Sequence, residues 1–106
     1  MKLDINNIIK NLNTELRKEF DSYNGIFFYG SHVKGTANTD SDYDIIILFE
    51  KGVDENIENK VLDIVYEYEL KYEILIDYRI YTLQDITEPV TVFRENVKKE
   101  GVYYAA

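Results

Sequence analysis

The residues of this sequence best suited to chemistry are one glycine-serine pair and a set of aspartates. Gly30 and Ser31 are followed, after ten residues, by Asp42 and Asp44 at the start of the apolar run YDIIILF, residues 43–49. Side chains two positions apart on a strand project from the same face, so these two carboxylates would lie side by side. Their mutual repulsion is costly unless a cation binds between them. The pair therefore predicts a cation site at the start of a strand.

Further residues could extend this pair into a site for a metal and a phosphate. Oxygen ligands of this kind suit Mg²⁺, which takes one or two carboxylates together with substrate phosphates. Gly30 permits a sharp turn, and Ser31 offers a hydroxyl and an amide to a phosphate at the start of a following helix. Asp77, in the later segment EILIDYRIY, is the obvious third carboxylate of a two-metal site. The chemistry implied is phosphoryl transfer from a nucleoside triphosphate, by positioning and charge neutralisation.

Two other ligand-binding motifs match the same stretch only in part. Gly30 and Gly35 have the spacing of a P-loop, but Thr36 and Ala37 stand where Lys and Ser or Thr are required. The aspartates are spaced as in a calcium-binding EF-hand loop, but Ile45 stands where that loop needs glycine. Both motifs are rejected for these reasons.

Each aspartate also has a purely structural interpretation. Asp42 and Asp44 could be a solvated strand start, because turns are rich in Asp. Asp77 could be an exposed strand residue paired with Arg79 or Lys71. The glycine-serine pair upstream and the carboxylate downstream favour the metal site over these alternatives.

The elements that must position the aspartates follow from the hydrophobic periodicity. Apolar residues at helical spacing begin at Ile5, with Asp4 as a possible N-cap, and predict a first helix. This helix is expected to end near Tyr23, because Asn24-Gly25 is a strong breaker pair. The short aromatic segment IFFYG, residues 26–30, predicts a buried strand that runs into the turn at its last glycine.

The middle of the chain predicts two more strands with a helix between them. The nearly continuous apolar run at 43–49 is typical of a strand buried on both faces. Apolar residues from Ile57 to Tyr68 recur at helical spacing, with Asp54 as a plausible cap. The segment at 73–81 alternates like a strand that has one apolar face, and its other face carries the third aspartate.

The last part of the chain completes the predicted architecture. Residues 82–87 predict a turn or short helical piece, and Pro89 can open a last helix that Gly101 would terminate. The tyrosine-rich end, VKKEGVYY at 97–104, is interpreted as a tail for packing or partner contact. The expected fold class is α/β (α+β), a small mixed sheet of three or more strands flanked by helices. Residues 1–106 are expected to form a single domain.

Composition narrows the classes of function. The 106 residues include twenty acidic and twelve basic side chains, which give a net charge of -8, and no cysteine. An acidic chain is poorly suited to bind nucleic acid or anionic membranes, whereas a basic protein surface would suit it as a partner. Without a continuous apolar run for a signal peptide or a membrane span, the expected location is cytoplasmic.

The pattern GSHVKGTANTDSDYDIII, together with LIDYRIY downstream, resembles the GS-x(10)-D-x-D signature of the DNA polymerase beta-like nucleotidyltransferase superfamily. More narrowly, it resembles the minimal nucleotidyltransferases, or MNT proteins. The resemblance extends over essentially the whole chain, including the closing FRENVKKEGVYY. It implies a nucleotidyltransferase fold.

The resemblance also implies roles for individual residues. Nucleotide binding falls to Gly30, Ser31, Lys34 and Ser41. Metal binding and catalysis fall to Asp42, Asp44 and Asp77, with two Mg²⁺ ions as cofactors and ATP as substrate. In many such proteins the turn reads G-S-R-A-R-G, so His32 departs from the first basic position while Lys34 keeps the second.

The function implied by the resemblance is that of an antitoxin. MNT proteins often pair with HEPN toxins, and the implied activity is transfer of AMP from ATP to a tyrosine of the toxin. An alternative is a binding module that keeps the fold but neutralises its partner only by occlusion. A third is transfer to a small molecule or an RNA end, which usually needs an additional domain. The acidic edges and the tyrosine-rich tail also suggest contacts between chains, as in an oligomer.

Overall fold

The computed structural model describes residues 4–30, 42–87 and 100–106. Within these ranges the chain forms three helices and four strands. In chain order they are α1 (Ile5–Glu19), β1 (Tyr23–Tyr29), β2 (Tyr43–Phe49), α2 (Glu55–Tyr72), β3 (Ile76–Thr82), α3 (Leu83–Thr87) and β4 (Val102–Ala105). Across the same ranges, none of the helices is long and apolar enough to cross a membrane.

The four strands form one mixed sheet in the order β3-β2-β1-β4. Strand β1 pairs antiparallel with both β2 and β4, whereas β2 and β3 run parallel. The parallel pair needs a crossover, and α2 supplies it. The prediction of a small mixed sheet flanked by helices is confirmed.

Both long helices begin at the caps predicted from the sequence. The side chain of Asp4 accepts a hydrogen bond from the backbone N–H of Asn7, and Asp54 accepts one from Ile57 at 2.9 Å. The backbone N–H groups of the first helical turn have no acceptor within the helix, and each cap provides one of them with an acceptor. Such a cap stabilises a helix by about 1 kcal/mol. Residues 82–87, predicted to form a turn or short helical piece, contain the short helix α3.

The core lies between one face of the sheet and the helices α1 and α2. It takes alternate residues of β2 and β1, so that Ile45, Ile47 and Phe49 pack with Ile26 and Phe28. The helices contribute the buried residues Ile9, Leu12, Leu16, Val61 and Val65. Burial of this apolar surface is the main favourable term in folding.

A polar contact inside the core ties three elements together. Asn13 of α1 is 8% exposed, and its side chain accepts a hydrogen bond from the hydroxyl of Tyr23 in β1. The Nδ2 of Asn13 donates to the backbone oxygen of Ala105 in β4 at 2.7 Å. The buried amide therefore has partners for both of its ends, as burial of a polar group requires.

The opposite face of the sheet has a smaller apolar cluster. The even-numbered residues Ile46 and Leu48 of β2 are 0% and 1% exposed. They contact Phe27 and Tyr29 of β1 on the same face, as well as Tyr81 and Leu83. Strand β2 is thus buried on both faces, as its continuous apolar run predicted.

The expected boundary between the first helix and the first strand was wrong. Helix α1 ends at Glu19 instead of near Tyr23, and β1 already begins at Tyr23. The Asn24-Gly25 pair lies inside the strand, at a bulge in its pairing with β2. A Cβ on Gly25 would lie 2.5 Å from the backbone oxygen of Tyr104, so glycine lets β4 approach closely here.

The tyrosine-rich end is a strand rather than only a tail. Residues Val102–Ala105 form β4, which pairs with β1 so that Tyr103 lies opposite Phe27. The predicted last helix falls mostly on residues 88–99, which lie outside the described part of the chain. Glu100 is helical and Gly101 follows it, at the place where the helix was expected to end.

Candidate functional site

The carboxylates of β2 and β3 meet in one row across the sheet. Asp44 of β2 lies opposite Asp77 of β3 in the parallel pair, and opposite Tyr29 of β1 in the antiparallel pair. Paired residues of neighbouring strands project from the same face, so the two carboxylates and the phenol are neighbours. The structure therefore brings together two of the three predicted metal ligands.

Gly30 follows Tyr29 directly and lies against the row. Its φ of +88° is in the region that side chains rarely adopt. A Cβ at this position would overlap with the carboxylate oxygen Oδ2 of Asp44. Glycine is thus required twice, for the turn and for close approach of the backbone to the carboxylate, as predicted from its place in the sequence.

The third predicted ligand lies at the margin of the row. Asp42 is exposed and precedes β2 by one residue, two positions before Asp44. Among residues 4–30, 42–87 and 100–106, no three His, Cys, Asp or Glu side chains form a group that could hold a metal ion. These ranges bring together two carboxylates in register, those of Asp44 and Asp77, and the role of Asp42 as a third ligand stays a prediction.

The hydroxyl of Tyr29 belongs to the same electrostatic environment. Burial raises the pKa of Tyr29 to about 12, and the negative charge of Asp44 adds to the increase. Asp77 acts in the same direction, whereas the positive charge of Arg79 lowers the pKa. Tyr29 therefore stays protonated at neutral pH, as a phenol beside two carboxylates.

Arg79 and Tyr81 extend the row along β3. They lie two and four residues beyond Asp77, on the same face of the strand. A hydrogen bond with Tyr81 raises the pKa of Arg79, and the negative charge of Asp77 contributes in the same direction. A permanently charged guanidinium thus stands next to the carboxylate row.

Sequence reasoning did not assign Tyr29, Arg79 or Tyr81 to the site. The alternation of residues 73–81 already places Arg79 and Tyr81 on the face of Asp77, which was the available signal. Tyr29 was harder to find because its neighbour Asp44 lies on another strand. Only the register of the pairing places the two together.

Several predicted nucleotide-binding residues lie outside the described part of the chain. Residues 31–41 are not described, and they include Ser31, Lys34 and Ser41. Their assignment stays a prediction from the motif. Of the predicted nucleotide-binding set, Gly30 is the member that the structure describes.

The donor set of the row fits a hard divalent cation. Carboxylate oxygens are the ligands that Mg²⁺ prefers, and this ion usually takes only one or two of them, completing its shell with water and substrate phosphates. Asp44 and Asp77 supply two from paired positions, and Asp42 offers another. The absence of a side chain at Gly30 lets the carboxylate of Asp44 lie directly against the backbone.

Comparison with known proteins finds similarity to nucleotidyltransferases. The nucleotidyltransferase domain family matches residues 9–104. MJ0141 of Methanocaldococcus jannaschii, provisionally named a protein adenylyltransferase, is 32% identical over 72 residues. That similarity spans 68% of this chain and 70% of MJ0141.

Two solved structures have a similar fold. A crystal structure of a toxin-antitoxin with AMP-PNP superposes with a TM-score of 0.64 at 22% identity, over 92% of this chain and 69% of that chain. A toxin-antitoxin MntA-HpeT variant, with two aspartates two positions apart changed to glutamate, superposes with a TM-score of 0.62. Its identity is 20%, over 95% of this chain and 71% of that chain.

Proposed function

The chain belongs to the nucleotidyltransferase domain family, and we propose that it transfers AMP from ATP to a tyrosine of a HEPN-type toxin, as the antitoxin of that pair. The observation that carries the proposal is the pairing of Asp44 with Asp77 beside the bare backbone of Gly30. The name of MJ0141 supports a protein as acceptor. The similar toxin-antitoxin with AMP-PNP supports an adenine nucleotide and a toxin partner.

The triphosphate would bind at the end of β1. Gly30 lets the phosphates approach the backbone, and the motif residues Ser31, Lys34 and Ser41 would contribute hydroxyls and a positive charge. Arg79 adds a fixed positive charge on the same face as Asp77. These groups offset the negative charge that the nucleotide brings to an acidic protein.

The carboxylates Asp42, Asp44 and Asp77 would hold Mg²⁺, in a site for two ions. When bound, Mg²⁺ supplies positive charge that neutralises the phosphate oxygens and the departing pyrophosphate. The row also holds the acceptor in place, since Asp77 lies at the exposed side of the pair and can accept a hydrogen bond from an incoming hydroxyl.

The transfer step follows from this placement. The tyrosine oxygen of the acceptor forms a bond to the α-phosphorus, while the bond from that phosphorus to the oxygen bridging the β-phosphate breaks. Pyrophosphate leaves with the electron pair of the broken bond, and the proton of the tyrosine hydroxyl passes to the carboxylate of Asp77. AMP is then joined to the toxin through a phosphodiester.

A labelling experiment tests the proposal. The protein is incubated with Mg²⁺, the purified product of the neighbouring gene as the proposed toxin, and ATP labelled at either the α- or the γ-phosphorus. Transfer of AMP predicts label on the toxin from α-labelled ATP and none from γ-labelled ATP, since pyrophosphate leaves. Asp42→Asn and Asp44→Asn should each reduce labelling by on the order of 100-fold or more, because they remove charge that holds the cation.

The control is Glu50→Gln, which neutralises an exposed carboxylate directly after β2. It should label the toxin like the wild type. Toxin that is neutralised without label, equally by the wild type and by both aspartate variants, would instead support the binding module that acts by occlusion. Label from γ-labelled ATP would contradict adenylyl transfer.

A further inference from the structure

Helix α2 carries an apolar stripe that faces away from the core. Leu62, Tyr66 and Leu70 recur every four residues, so they lie on one side of the helix. They are 52%, 49% and 66% exposed, whereas the neighbouring core residues Val61 and Val65 are 0% and 1% exposed. The stripe is therefore a second apolar side of α2, separate from the side that packs on the sheet.

The stripe borders a groove between α2 and the start of β3. The groove has a volume of about 380 Å³ and is lined by Tyr66, Glu69, Leu70, Glu73, Ile74 and Leu75. Leu75 is 63% exposed and continues the apolar surface of the stripe. The charged side chains that line the groove are both acidic, which leaves an apolar floor with negative borders.

This groove ends next to the carboxylate row. The backbone oxygen of Leu75 accepts a hydrogen bond from the N–H of Tyr43 at 2.9 Å, and Tyr43 stands between Asp42 and Asp44 in the sequence. Leu75 also precedes Asp77 by two residues, a distance of about 7 Å along an extended chain. Because α2 covers the other face of the sheet, a protein held in the groove would reach the carboxylates by passing the edge that β3 forms, next to Leu75.

One border of the groove carries the charged residue Glu73, at a backbone position where glycine would be more stable. Glu73 ends α2 in the left-handed conformation, with φ 54° and ψ 47°. Glycine is the usual residue at this position, because a side chain there is strained. The negative charge of Glu73 is thus held beside the groove in spite of that strain.

We propose that the protein that accepts the nucleotidyl group docks in this groove through an amphipathic helix, whose apolar stripe is flanked by Lys or Arg. The proposal rests on the proposed function and names the surface that selects its acceptor. Ridges of side chains at four-residue spacing, as on α2, accept the ridges of a second helix. A second copy of this acidic chain, of net charge -8, would bring like charges together at the groove, whereas a basic helix complements Glu69 and Glu73.

Substitution in the stripe tests the apolar part of the contact. Leu62→Ser combined with Leu70→Ser should raise the KM for the HEPN toxin roughly tenfold or more, because both substitutions remove apolar anchors that the contact would bury. Both side chains are exposed, so the fold should persist. The KM for ATP and kcat at saturating toxin should stay within about twofold, since the carboxylate row is untouched.

The control is Val102→Ser, which removes another exposed apolar side chain, 45% exposed, from β4 on the far side of the sheet. It should leave the KM for the toxin unchanged. Calorimetric titration of the toxin into the chain without ATP measures the contact itself. This binding should weaken in the stripe variant and not in the control.

Charge reversal tests the acidic border. Glu73→Lys should weaken binding of the toxin and reduce its dependence on salt, whereas Glu67→Lys changes the charge equally on the flank of α2 that faces α1. Glu69 is unsuited to this test, because its carboxylate accepts a hydrogen bond from the N–H of Ile76 at 2.9 Å. Glu67→Lys should bind like the wild type.

The outcomes separate the docking surface from the proposed function. Calorimetry that finds weaker binding in the stripe variant supports the groove even where no AMP is transferred, and in that case only the proposed function fails. Equal binding by the wild type and the stripe variant, or no binding of the toxin to the wild type, overturns the docking proposal. Sedimentation equilibrium that finds a dimer broken by the stripe variant would likewise overturn it, in favour of a second copy.

Discussion

The two faces of the sheet use alternate residues of the same strands for different purposes. On β2 the helix-covered face takes Ile45, Ile47 and Phe49, and the opposite face takes Asp44, Ile46 and Leu48. The first face forms the apolar core, whereas the second carries the row of carboxylates. A shift of one residue in the register of β2 would exchange the two sets, so a single alternation sets both the core and the site.

The difference between the faces is also a difference in free energy. Apolar burial on the helix-covered face favours folding, whereas two like charges in direct opposition on the other face disfavour it. Asp44 and Asp77 are such a pair. We therefore expect the carboxylate row to serve a ligand rather than stability, and substitutions should separate the two roles.

The largest expected effect is the contrast between one substitution on each face. Ile47→Ala removes a fully buried side chain and should lower the free energy of unfolding by about 2–4 kcal/mol, while the transfer rate per folded molecule persists. Asp77→Asn removes both the repulsion from Asp44 and the attraction to Arg79, so stability should change by no more than about 0.5 kcal/mol. Toxin labelling by Asp77→Asn should fall on the order of 100-fold.

Urea unfolding and the labelling assay, applied to both variants, measure this contrast. A loss of stability in Asp77→Asn comparable to that in Ile47→Ala would mean that the carboxylate row has a structural role. Unchanged labelling by Asp77→Asn would remove the residue from the transfer step.

A smaller effect is expected at Gly30, in the turn after β1. Gly30→Ala would place a side chain at a φ of +88° and against the carboxylate of Asp44. We expect a loss of about 1–3 kcal/mol in stability, from strain at this position. Toxin labelling should also fall roughly tenfold or more, because the carboxylate is displaced by a distance that matters for orientation.

Gly52→Ala is the matched control for this substitution. A Cβ at Gly52 would meet no atom within 4 Å. Its stability should be unchanged or higher by up to about 1 kcal/mol, since alanine restricts the unfolded chain. Equal behaviour of the two variants would mean that the space beside Asp44 is not needed.

The parts of the fold that could be predicted from the sequence are those set by local pattern. The caps Asp4 and Asp54, and the doubly buried strand β2, depend on neighbours within a few residues. The alternation in β3 likewise placed Asp77 on the face opposite the core. Local patterns of this kind can be recognised in the sequence without knowing which strands pair.

The parts that could not be predicted depend on contacts between distant residues. Strand β4 exists because Val102–Ala105 pair with β1, which lies more than seventy residues earlier in the chain. The local sequence Asn24-Gly25 predicts a break between elements. In the structure the glycine lies inside a strand, because β4 approaches too closely to leave space for a side chain. Membership of Tyr29 in the site depends on strand register in the same way.

The smallest expected effect is a loss of folding stability at alkaline pH, which we compare for one tyrosine on each face of the sheet. Burial raises the pKa of Tyr23 in the core above its usual value of 10, and burial beside Asp44 raises that of Tyr29 to about 12. A folded-state pKa above the unfolded value means that the unfolded chain loses its proton first. Each tyrosine therefore contributes fully to stability below about pH 10, and this contribution is lost as the pH rises towards the folded-state pKa.

Urea unfolding of Tyr23→Phe and Tyr29→Phe between pH 7 and pH 11 measures this comparison. Tyr23→Phe should be less stable than the wild type by about 1 kcal/mol at pH 7, because Asn13 loses its hydrogen-bond donor. Above pH 10 both variants should lose stability less steeply than the wild type, and Tyr23→Phe least steeply, since its tyrosine is the more deeply buried of the two. A steeper alkaline decline in either variant would contradict the assigned direction of its pKa.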